Sequence, residues 1–372
     1  MRPIGRTRPR DRRARRWCAA LAACAISAVA LAPAAAAAPN RHGGRAIGHY
    51  AQRNLVSDQA GKAQVRDPNL VNAWGLTFGP TTPAWVADNG ADVATLYSGG
   101  VGGTPPMIVP LVVHIPGGAP TGAVFNGSSA FPLPSGMSAR FIFASEAGMI
   151  TGWPAPPPTT TSAQTVATVP GAIFKGLTIA DTGTGPRLYA TDFHHGTVDV
   201  WDASAARVNR PGAFRDRAIP HGFAPFGIQA VNGDIVVTYA KQDSKAEDDV
   251  SGPGNGFVDV YDTDGRLLRR FASHGPLNSP WGIALAPQGF GRASGALLVG
   301  NFGDGRIHAY DPVSGRVLGA LRGRAGHQVT IDGLWALRFG NGVIGTPRTL
   351  LFTAGPNEEA HGLFGELVAA RG

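Results

Sequence analysis

SPWGIALAP, residues 279–287, repeats a phrase met much earlier as NAWGLTFGP, residues 72–80. In both copies Trp-Gly opens a short apolar alternation. A second apolar run with a polar turn follows: AWVADNGADVATLY (84–97) in one, ALLVGNFGDGRIHAY (296–310) in the other. The same grammar recurs between and after them. A unit is a strand near a Gly, a second strand, a polar turn, a third strand ending in an aromatic residue and often Asp, and a hairpin into a fourth strand. Taking Gly75, Gly127, Gly176, Gly227, Gly282 and Gly333 as reference points, the units are 52, 49, 51, 55 and 51 residues apart. A period near 50 with four short strands per unit is the pattern of a β-propeller blade. The runs are rich in Val, Ile, Leu, Phe and Tyr and bounded by Gly, Pro, Asn and Asp, and none sustains a helical period. The expected fold is all-β: a six-bladed β-propeller with four antiparallel strands per blade. The sixth unit lacks a fourth strand. A ring must not leave a sheet edge open, so the N-terminal strand at 51–58 is expected to complete the last blade.

The chain has 372 residues and a formal charge of +8. The charge is concentrated at one end. Residues 1–16 hold eight Arg and one acid, Asp11, and residues 17–31, WCAALAACAISAVAL, are apolar. Small residues follow, up to Ala38. A basic start, a short apolar segment and small residues at a cut site describe a secretory signal peptide, here residues 1–38. The apolar segment is shorter than the ~20 residues of a membrane span. Arg15-Arg16 leaves the twin-arginine route open beside the general one, and Cys24 could carry a lipid. The rest divides into a flexible mature N-terminus, 39–50, and a single propeller domain, 51–370. Without residues 1–38 the formal charge is +1, and no Lys/Arg cluster remains to bind nucleic acid. Both cysteines, Cys18 and Cys24, also leave with that segment. The expected protein is secreted, periplasmic or at the cell surface, has no disulfide or membrane span, and is a monomer because the ring closes on itself.

In a propeller the loops entering the inner strands share one face with those joining second and third strands. On that face the first strands carry Trp74, Phe226 and Trp281. The loops carry Asp88, Glu146, Asp192, Lys241, Asp243, Asn301, Asn357 and Glu358. Asp88, Glu146, Asp192, Asn301 and Asn357 could together hold one calcium ion, a hard cation that takes six to eight oxygens. Each could equally close its own turn through side-chain to backbone bonds. His194, His195 and His361 are candidates for a general base or a transition-metal ligand, or are turn residues. The segment KQDSKAEDDVSGPGNG, 241–256, is a long acidic insertion on the same face and could be a lid, a cation-binding loop or a solvated loop. No HExxH, GxSxG or CxxC occurs.

The blade text, Trp-Gly-Ile/Leu followed by an apolar run ending in AD or GN and then G-x-Ile/Val-x-x-Tyr-Asp, resembles NHL repeats. Across roughly 50–368 the segments NLVSDQ (54–59), NAWGL (72–76), ATDFHHGTVDVWD (190–202), VTYAKQD (237–243), DDVSGPGNGFVDVYD (248–262) and TAGPNEEAHGLFG (353–365) resemble a family of secreted bacterial NHL-like propellers that brings no established activity. Gluconolactonase-like propellers are more distantly similar. Their resemblance implies a six-blade plan with calcium in the central channel, held by one Glu with Asn and Asp. Here Glu146 lies in the second unit rather than at the chain start. Three functions remain: a module binding a small molecule or a protein, a metal-dependent hydrolase or lactonase, and a histidine-based lyase or redox enzyme.

Overall fold

Short runs of β-branched and aromatic residues, cut by Gly, Pro and Asn, become strands throughout. The computed structural model describes residues 47–154 and 160–370. The expected signal peptide, residues 39–46 of the expected flexible stretch, and residues 155–159 of the Pro-rich hairpin lie outside the described residues. Among the described residues there are 24 strands, two one-turn 3-10 segments and no α-helix.

Three of the sheets have four antiparallel strands in chain order. They run from Ala73–Thr77 to Pro106–His114, from Pro120–Phe125 to Gln164–Thr168, and from Phe223–Val231 to Leu267–Ser273. The sheet Phe174–Asp181, Pro186–Asp192 and Thr197–Trp201 has three strands where four were expected. Its missing place is taken by an irregular segment. This pairs with the third strand only near Trp201, through one bridge to Arg207 and a bond from the Val208 amide to the Val200 carbonyl. Pro211 and Gly212 follow at once, and a Pro without an amide donor cannot continue a ladder.

The last two units share one nine-stranded sheet. Ile47–Ser57 joins them, running antiparallel to Leu363–Ala369 and parallel to the end of Val317–Gly323. This strand begins four residues before the expected domain start at 51. Tyr50, Leu55 and Val56 are buried along it, and the Tyr50 hydroxyl donates to the Phe290 carbonyl at 3.0 Å.

The first strands of the six units touch in a closed cycle: Ala73–Thr77, Pro120–Phe125, Phe174–Asp181, Phe223–Val231, Pro280–Leu285, Leu334–Phe339 and back to the first. Each carries a register shift against its second strand at the same place. A bulge of this kind adds twist and re-aims the side chain beside it. The repeat's small residue sits at the bulge because the next first strand passes close by. A methyl on Gly75, Gly176, Gly227 or Gly282 would press on the backbone carbonyl of Thr121, Phe226, Trp281 or Trp335 respectively. The register shifts correct two of the reference points. Gly122 and Ala336 are the equivalents of Gly75, whereas Gly127 lies in an exposed loop beyond its strand and Gly333 precedes its strand. Threonines brace the same level: Thr121 and Thr191 donate to the carbonyls of Phe174 and Phe226, each at 2.7 Å.

Candidate functional site

The residue before each bulge is thereby placed at one level of the ring. In chain order these are Trp74, Thr121, Lys175, Phe226, Trp281 and Trp335. Four are aromatic and close the centre. Trp74 stacks on Trp335 with ring centroids 3.6 Å apart, Phe302 stacks on the same Trp335 at 4.0 Å, and Trp281 meets both indoles edge-on. Phe193, Ala224, Phe226 and Ala240 complete this cluster. The expected mouth residues Trp74, Phe226 and Trp281 are therefore packed against one another.

Thr121 and Lys175 are the two that are not aromatic, and Lys175 alone carries a charge. Its side chain is 3% exposed, and its ammonium lies 5.4 Å from the centroid of Trp74. Nζ donates to Glu146 Oε1 at 2.5 Å and to Asp248 Oδ1 at 3.0 Å. Burial opposes its charge, but the two carboxylates more than offset that, and its pKa is raised. The network continues on the other side of Glu146. Asn89 Nδ2 donates to Glu146 Oε2 at 2.9 Å, and Asn72 Nδ2 donates to Asn89 Oδ1 and to Glu359 Oε2, the latter at 2.7 Å. The indole N–H of Trp335 donates to Asn72 Oδ1 at 3.0 Å, and that of Trp281 to the Lys175 carbonyl at 2.9 Å. The indole N–H of Trp74 is buried and has no partner among the described residues. One charge-assisted network thus caps the aromatic centre.

Glu359 is the titrating member. Burial, then repulsion from Glu146, raise its pKa to about 7 against the pull of Lys175 and the bond from Asn72. An acid held above its ordinary pKa binds its proton more tightly in the fold than in the unfolded chain. Its ionisation therefore costs stability as pH rises from about 4.5 to about 7, and that cost persists above. Relative to Glu359→Gln, the protein is expected to lose about 3 kcal/mol between pH 4.5 and 8. Urea unfolding at a series of pH values measures this, and parallel pH profiles for the two proteins would remove Glu359 from that role.

Of the five expected metal ligands, only Glu146 hydrogen-bonds within this network. Asp88 is fully buried, accepts from Thr95 at 2.7 Å, and is pushed well above the usual carboxylate range by burial. Asp192 accepts from the Ile173 and His195 amides and from His195 Nδ1 at 2.6 Å. Asn301 donates to the Pro276 carbonyl and to Asp304. Asn357 is exposed, in a left-handed turn fixed by Asp332. These are turn and strand-end bonds. Among the described residues no three His, Cys, Asp or Glu gather in a metal-holding arrangement. The donor set does not fit a calcium ion bound by those five residues.

The histidines also lie apart from the network. His194 contacts the Ala246 carbonyl at 3.2 Å, His195 is held by Asp192, and His361 pairs with Asp58 at 2.7 Å. Lys241 and Glu358 are exposed, and Asp243 accepts the amides of Lys245 and Glu247 to close its own loop. That loop belongs to the acidic insertion, which delivers Asp248 to Lys175.

Asn72 and Lys175 were not among the expected site residues, Asp248 was expected only within the acidic insertion 241–256, and Asn89 and Glu359 only as residues of the mouth loops. Lys175 had a signal: Lys175-Gly176 stands where three other units read Trp-Gly or Phe-Gly. Asn89 and Glu359 are neighbours of the expected Asp88 and Glu358. The turn reverses which of the pair faces the centre.

The chain aligns over 341 residues with "Uncharacterized protein R648" of Acanthamoeba polyphaga mimivirus, 31% identical, covering 87% of this chain and 81% of that protein. It aligns over 342 residues with "Uncharacterized protein L690" of the same virus, 30% identical, covering 87% of each. The chain belongs to the family of these two proteins. No family model matches it. Among solved structures, that of a proposed gluconolactonase is 14% identical, covers 86% of this chain and 92% of its own, and superposes with a TM-score of 0.51. That likeness shows the fold, a β-propeller. No helix among the described residues is long and apolar enough to cross a membrane.

Proposed function

We propose that this family member is an NHL-like propeller of six blades, closed by its N-terminal strand and acting as a ligand-binding module at the centre of the ring. The closed cycle of six first strands supports the blade count, with the third blade one strand short. The basic, apolar and small-residue order of residues 1–38 supports export and cleavage, with a monomer on the outside of the cell or in the periplasm.

One observation carries the binding role: a buried lysine bound by two carboxylates at the position where four of the other five repeats place an aromatic side chain. Burying a charge is costly unless it is paired, and apolar side chains in place of the lysine and both its carboxylates together would be as stable or more so. Lys175 is thus best explained as the fixed cation of a site. It organises Glu146 and Asp248, which remain 28% and 76% exposed, as acceptors facing outward. With Glu359 beside them the mouth carries more acid than base. It suits a small ligand that presents hydrogen-bond donors, an amine or a polyol.

A thermal-shift panel of primary amines, polyols and carboxylates of matched size tests this. Stabilisation by amines or polyols, lost in Glu146→Gln, is the expected result. Stabilisation by carboxylates alone, or by none of the three, would overturn it.

The second reading is a hydrolase or lactonase at the same mouth. Glu359, with its pKa near 7, is suited to move a proton there at neutral pH. In either reading calcium would have to compete with Lys175 for Glu146.

A further inference from the structure

The third sheet stops one strand short, and what stands in its place is a trench. The fourth strands of the sheets on either side, Gln164–Thr168 and Leu267–Ser273, have no counterpart here, so Thr197–Trp201 is set back between its neighbours. The irregular segment that returns along it pairs near Trp201 and then diverges after Val208. Two cavities, about 520 and 700 Å³, lie in the opening. Both are lined by Thr197, Gly212 and Ala213, so they form one trough along the strand.

The floor of the trough offers a backbone edge. Val200 turns its carbonyl outward to Val208, and residues two apart on a strand face the same side. Val198 therefore points its N–H and C=O into the trough, and no strand among the described residues pairs with it there. The walls are basic. Arg215, Arg217 and His221 are exposed on the larger cavity, and neither arginine has an ion-pair partner among the described residues. The acids present are already engaged: Asp199 binds Arg207 at 2.6 Å, and Asp216 binds Arg270.

We propose that this trough binds an extended acidic peptide of a partner protein, which adds as the missing fourth strand on Val198 and places its carboxylates on Arg215 and Arg217. Strand addition gives affinity through main-chain bonds, and side chains set the preference. Opposite charge on the walls speeds and orients the encounter. The site is separate from the central network and does not depend on the reading of that network.

The probe is a fluorescein-labelled peptide of alternating Glu and Val, about eight residues long, titrated against the full chain by anisotropy. The controls are a Lys-Val counterpart and a Glu-Val peptide with every second Val replaced by Pro. The Glu-Val peptide is expected to bind and both controls to fail. Arg215→Ala with Arg217→Ala should weaken binding about tenfold. These side chains are exposed, so that variant folds. Val198→Pro should abolish binding by removing the outward donor, and the arginine variant decides the matter should the proline variant misfold. Equal binding of the Lys-Val peptide, equal binding of the proline-interrupted peptide, full competition by free citrate, or no binding of the Glu-Val peptide would each overturn the proposal.

Discussion

Replacing Lys175 by Met is expected to cost about 2–4 kcal/mol at pH 8, a fall in melting temperature of roughly 3–6 °C for a chain of this size. Methionine fills a similar volume and is at ease beside Trp74 and Phe193, so packing alone forecasts little change. The loss is electrostatic. The ammonium holds Glu146 at 2.5 Å and Asp248 at 3.0 Å, and it offsets the repulsion that both exert on Glu359. Without it three acids crowd one buried network. The figure stays at the low end of the range for broken buried pairs because Asp248 is 76% exposed and water takes up part of its charge. The defect should shrink at pH 5, where Glu359 is protonated in the fold and no longer needs the cation. Calorimetry at the two pH values measures both. A variant as stable as the wild type at pH 8 would mean that Lys175 organises nothing.

Removing residues 1–57 is expected to prevent folding, whereas removing residues 1–38 leaves the fold intact. The strand Ile47–Ser57 pairs with Leu363–Ala369 from Tyr50 to Ser57 and reaches back to Val317–Gly323. It buries Tyr50, Leu55 and Val56 against two separate core clusters. Each such side chain is worth about 1.5–3 kcal/mol on burial. Their sum, with the lost ladder, is comparable with the 5–15 kcal/mol of a typical domain. The shortened chain would also expose Leu363–Ala369 as an open edge prone to aggregation. Near-ultraviolet circular dichroism and gel filtration separate a folded ring from an aggregate. A monomeric, native-like product lacking residues 1–57 would show that the ring does not rely on this strand.

The repeat was legible because it is written in spacing. Trp74-Gly75 and Trp281-Gly282 do occupy one structural position, as reading the phrase twice suggests. The phase was harder. Gly127 and Gly333 look like the repeat's glycine in sequence, but the residue that matters is the small one at the register shift beside the next first strand, and that is Gly122 or Ala336. The short third sheet was missed because four strands were expected of every blade, although Pro211 soon after the third run cannot continue a ladder. At the centre, acids at strand ends drew attention as metal ligands. Side-chain direction decides otherwise: Asp88 closes on Thr95 while the next residue, Asn89, reaches Glu146. Lys175 was written in plain view as the one charge at a position that is aromatic in four other units, but its carboxylate partners come from loops 29 and 73 residues away. No local motif joins them.

The measurement that bears most directly on Lys175 as the resident cation of the mouth is calorimetric melting of the wild-type protein after chelation and again with calcium restored. The melting temperature should be the same in both states, because the positive charge at Glu146 is covalently part of the chain. A ligand at a hundred times its dissociation constant adds about 2.7 kcal/mol. A rise of that order with calcium, abolished by Glu146→Gln, would put a metal where Lys175 is said to serve.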